Sequence, residues 1–75
     1  MTATPNPTIQ NAIAANLSAL DQRLFDASHY SKQAIEAMAQ GQQNMAIGTI
    51  IELETILPEA LALFNAVMAL HRGTR

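Results

Sequence analysis

From Ile9 onward the apolar positions fall at Ile9, Ile13, Leu17, Leu20, Leu24 and Ala27, then, with Ser31 keeping the step, at Ile35 and Met38. Steps of three and four put them on one face of a helix. Neither glycine nor proline interrupts before Gly41. The spacing therefore predicts a first helix over about 7 to 40, roughly 50 Å long at ~1.5 Å per residue. Its start is written in "NPT". Asn6 can cap, and Pro7 suits the first helical position, where its missing N–H is not needed; Thr8 is the alternative cap. Residues 1 to 6 are read as a flexible arm ending at that cap.

"GQQN", 41 to 44, breaks the pattern. Gly41 suits a left-handed C-cap and Asn44 suits the N-cap of a second helix starting near Met45. Its face reads Ala46, Ile50, Leu53, Leu57, Leu61, Phe64, Met68 and His71. "HRG" closes it: His71 and Arg72 favour the negative end of the helix dipole, and Gly73 suits the residue beyond. Pro58 sits inside this run, yet the steps pass through it without slipping phase. Leu57 is also a poor N-cap for a fresh helix. The expectation is one helix from about 45 to 72, kinked at Pro58; a three-helix chain with Thr55 as a cap is the alternative. A short connection between two long helices predicts an antiparallel helical hairpin, all-α, in a single domain over 1 to 75.

The apolar arc of the second helix is wider than one neighbour can cover. Met45, Ile56, Ala60, Leu63 and Val67 extend it to roughly 160° on an ideal wheel, against the ~100° of a single buried stripe. Composition agrees: 49% of the chain is apolar and 13% charged, about half the usual ~25%. At 75 residues, with no cysteine for a disulfide, such a chain is short of core. Two hairpins packed as a four-helix bundle, a homodimer, would cover the excess. Its interface is expected at Leu20, Leu24, Ile50, Leu53, Leu57, Leu61, Phe64 and Met68. A hetero-complex with another helical protein would bury the same surface. Small residues at heptad spacing, Gly48, Thr55, Ala62 and Ala69, offer a second line of close approach or plain helix filler.

Candidate chemistry changes little. Asp26 and His29 are three apart, but no Glu-x-x-His of the di-iron type exists, so no metal or cofactor site is expected. No nucleophile–base spacing and no glycine-rich phosphate loop is present, and no catalytic residue or enzyme activity is expected. A net charge of −2, with Arg23, Lys32, Arg72 and Arg75 scattered, gives no basic face for nucleic acid. The run from Ile47 to Leu70 is long enough to span a bilayer. It carries Glu52, Glu54, Pro58 and Glu59, and is read as a buried helix of a soluble, cytoplasmic protein, with no signal peptide in "MTATPNPT". Glu54 borders the apolar arc, as a rim carboxylate or as the polar residue that sets register in a dimer.

"LFDASHYSK", 24 to 32, is the most informative stretch for binding. Leu24 belongs to the apolar stripe, whereas Phe25 lies away from it, with His29 and Lys32 at i+4 and i+7. An aromatic flanked by His and Lys on a polar face is a candidate partner-binding strip. The expected function is a small non-enzymatic protein–protein interaction module: an adaptor, co-chaperone or inhibitor. In general build it resembles the short helical hairpins that dimerise or dock on partners, such as Rop-type plasmid regulators and the small co-chaperones of secretion systems; no sequence motif carries the likeness. A Rop-like nucleic-acid regulator and a ligand- or metal-binding bundle are the alternatives.

Overall fold

The computed structural model describes residues 6 to 73, which form three helices and no strand: α1, Pro7–Ala39; α2, Gln43–Ile50; and α3, Leu53–Arg72. Of the expected arm, residues 1 to 5 lie outside the described residues. Asn6 starts α1 as a true N-cap. Its Oδ1 accepts hydrogen bonds from the N–H groups of Thr8 at 3.0 Å and Ile9 at 3.2 Å, with Pro7 in the first turn. At the other end Gln42 N–H donates to Ala37 C=O and Gly41 N–H to Met38 C=O, the paired bonds of a Schellman turn. Gly41 adopts φ 76°, a left-handed conformation that costs glycine nothing.

The second helix starts two residues earlier than expected. Gln42 stands at its N-cap without a side-chain bond, and Asn44 falls inside the first turn. The Schellman turn already aims the chain into the new helix, so a side-chain cap is not needed to begin it. Gly73 is the C-cap of α3 itself, with φ −70°, rather than a left-handed residue beyond it.

The bend also differs from expectation. Pro58 lies within a continuous α3, and the irregular turn is at Ile51–Glu52, between α2 and α3. Both residues keep right-handed helical backbone. The turn tightens there: Glu54 N–H reaches Ile51 C=O and Thr55 N–H reaches Glu52 C=O, each three residues back. Proline takes a bond from the turn before it and crowds the carbonyl four residues back, Glu54. Just upstream the Thr49 hydroxyl donates to Met45 C=O at 2.8 Å, an arrangement that bends helices, next to Gly48, which weakens them. The ladder gives way between these two perturbations, rather than at the proline.

Residues 31 to 38 of α1 lie beside 46 to 50 of α2, while 19 to 23 lie beside 59 to 63 of α3. The contact is made of small side chains. Ala34, Ala37, Ala46, Ile56 and Ala60 are the buried residues among those described, and Ile56 is the single large one. The three-residue turn brings α1 and α2 together at once, and Ala34, Ala37 and Ala46 form the cluster that permits the approach. The molecule is a rod of 61 × 16 × 15 Å with a radius of gyration of 17.4 Å, against about 11 Å for a globular chain of this length.

Candidate interaction surface

The large apolar residues of the expected stripe do not fill the contact between the helices. Leu24 is 51% exposed and Ile35 68%. On α3 Leu57, Leu61 and Phe64 are likewise half exposed or more. Stripe and contact are displaced from each other around each helix. On an ideal wheel centred on Ala34, the residues facing the partner helix lie within roughly 60°, Ala37 among them, whereas Leu17, Leu24 and Ile35 lie roughly 80–100° to one side. A similar offset on α3 separates Ala60 from Leu57 and Leu61.

Both offsets are toward the same side of the rod. Near the turn, Ile35 and Met38 of α1 and Ile47 and Ile50 of α2 wall one groove of about 360 Å³ over Ala34 and Ala46. A second groove continues along Ile47, Ile50, Leu53, Glu54 and Leu57. The opposite side is polar near the turn, where Gln33, Glu36, Gln40 and Gln42 gather. Of the expected interface residues, Leu24, Ile50, Leu57, Leu61 and Phe64 are exposed on the apolar face, while Leu20, Leu53 and Met68 are half-buried. Gly48, Thr55, Ala62 and Ala69 are all exposed.

Phe25, His29 and Lys32 lie together along the outer side of α1, all exposed, with Phe25 at 68%. The His29 ring meets Tyr30 edge-on at 5.8 Å, and its Nε2 is 3.1 Å from Gln33 Nε2. Asp26 does not turn toward His29. It is held by Arg23 and by Gln22 Nε2 at 3.0 Å. Among the described residues no three His, Asp or Glu side chains converge as a metal site would require.

Arg23 is a residue whose role was not legible beforehand. It joins α1 to α3 through Glu59, 3.2 Å away, beside a cleft lined by Ala19, Gln22, Ala62 and Leu63. The i,i+3 spacing of Arg23 and Asp26 was visible in the sequence; the partnership with Glu59 depends on how the two helices are set against each other.

The stretch Gln43–Arg72, taken as one bent helix of 30 residues, is long and apolar enough to cross a membrane, with a window of mean hydropathy 1.5. Only 11% of that stretch's most apolar part is buried inside the chain, so the single chain does not itself cover it. No family model, curated protein or solved structure is significantly similar to this chain.

Proposed function

We propose that the chain is a non-enzymatic protein–protein interaction module, an antiparallel helical hairpin whose apolar face is covered by the same face of a second copy. The product is a four-helix bundle with two-fold symmetry. The observation that carries the reading is the division of labour around each helix: alanines and Ile56 meet within the chain, while Leu17, Leu24, Ile35, Ile47, Leu57, Leu61 and Phe64 are left at its surface. Area supports it. The chain's accessible surface is 5673 Å², whereas a folded chain of 8.1 kDa has about 4,500 Å². The excess of roughly 1,200 Å² is larger than the ~800 Å² that each partner gives to a standard interface.

A protein occupant fits this face better than lipid. Glu52, Glu54 and Glu59 lie along the apolar helix, and α1 beside it carries Asp21, Arg23 and Asp26. Each of these charges is costly at membrane depth. The module would work in the cytoplasm as an adaptor, co-chaperone or inhibitor. Its second surface would be the outer strip centred on Phe25 and His29, where a different protein docks, with Lys32 at the edge of that strip nearest the apolar face.

Sedimentation of the purified chain tests the reading. The expected result at micromolar concentration is a species of twice the 8.1 kDa chain mass, without detergent. A folded monomer, or a chain recovered only with membranes, would sink it.

A further inference from the structure

Two charged side chains stand at opposite edges of the apolar face with no salt-bridge partner among the described residues. Lys32 is on α1 and Glu54 on α3, both exposed. The salt bridges among the described residues all run through Arg23 instead. Glu54 lines the apolar groove together with Ile50 and Leu57. On an ideal wheel Lys32 sits roughly 60° beyond Ile35, and Glu54 roughly 60° beyond Leu57. Each is therefore on the flank that a helix of a second copy would adjoin.

Their heights along the rod can be compared. Arg23 meets Glu59, and Ala37 clusters with Ala46. Glu54 is thus level with about residue 28 or 29 of α1, and Lys32 is one helical turn away, roughly 5 Å at ~1.5 Å per residue. A lysine stem spans that distance.

The geometry points to a dimer in which the two connecting turns lie at the same end, α1 of each copy beside α3 of the other, with Lys32 of each copy paired to Glu54 of the other. This rests on the dimer reading above and specifies its arrangement. In this setting Leu24 falls level with the gap between Leu57 and Leu61 of the other copy, a knob opposite a hole. The two-fold axis makes the ion pair occur twice, once on each outer seam. The other two-fold arrangement, with the turns at opposite ends, sets α1 against α1 and α3 against α3. With the rods fully overlapped, Lys32 then faces Ala14 and Ser18, and Glu54 faces Asn65. Neither charge finds an opposite.

Two charge reversals and one label pair decide the matter. Lys32→Glu places four carboxylates on the seams and Glu54→Lys four ammonium groups, so each variant alone is expected to dimerise about tenfold more weakly at low salt. An equimolar mixture restores both pairs at once and is expected to form heterodimers near wild-type affinity, with an advantage that fades in high salt. Circular dichroism of each variant checks that the exposed substitutions leave the helices intact. The chain has no cysteine, so Gln42→Cys gives a single labelling site at the turn. Spin labels there are expected within about 25 Å in the wild-type background, against on the order of 50 Å if the turns lie at opposite ends. A long label distance, or a mixture no tighter than either variant, overturns the arrangement while leaving the dimer standing. A wild-type chain that stays monomeric overturns both.

Discussion

Arg23 reaches across from α1 to α3, its Nη1 3.2 Å from Oε1 of Glu59, while its Nη2 holds Asp26 on its own helix. It is the one ion-pair link between α1 and α3 among the described residues. The pair is well exposed, Arg23 at 35% and Glu59 at 51% of the side chain, so solvent screens it. Glu59→Gln is expected to lower stability by less than about 1 kcal/mol in urea unfolding. A loss of several kcal/mol would mean that the link is covered in the assembled protein.

Neighbouring residues on α3 should fail in different ways. Ala60 is 6% exposed, against α1, and Leu61 is 59% exposed. Ala60→Leu overpacks the contact within the chain and is expected to cost about 1–3 kcal/mol at every protein concentration. Leu61→Ala would act on the proposed dimer, so it should flatten the rise of melting temperature with concentration. Melts of both variants over a hundredfold range of concentration separate the two. Equal behaviour would place Leu61 in the same contact as Ala60.

Pro58→Ala should be tolerated. Pro58 is exposed and lies within a continuous α3. Restoring an N–H and removing the crowding of Glu54 C=O favours helix. Helical content by circular dichroism is expected to hold or rise, with the tightened turn at Ile51–Glu52 the place where added amide protection appears in hydrogen exchange. Loss of folding would show that the bend itself is required.

Phe25 gains little from folding, since 68% of it is exposed on the outer side of α1. Burying a phenylalanine in a partner's pocket is worth about 1.5–3 kcal/mol. Phe25→Ala is therefore expected to leave melting temperature and dimerisation nearly unchanged and to weaken binding of a second protein by about tenfold or more. Binding to partners captured by the wild type is the measurement. An unstable or dissociated variant would move Phe25 into the bundle and the partner surface elsewhere.

The helices and most of their ends were legible in the order of residues, because those features are set locally. Asn6 and Pro7 begin α1 with bonds inside one turn, and Gly41 supplies the left-handed residue that a Schellman turn requires. Three- and four-residue steps likewise marked the apolar face, and Leu24, Leu57 and Leu61 do lie along one side. What periodicity could not reveal is which neighbour each side of that arc would meet. Only the tertiary structure decided that the short turn brings Ala34, Ala37 and Ala46 together and swings the leucines outward. Small side chains allow the helices close approach, and that preference depends on the partner surface rather than on spacing within one helix. The bend at Ile51–Glu52 and the Arg23–Glu59 link were hidden for different reasons. One arises from Thr49, Gly48 and Pro58 acting together along the chain, the other from the alignment of two helices that brings residues 36 apart in sequence together.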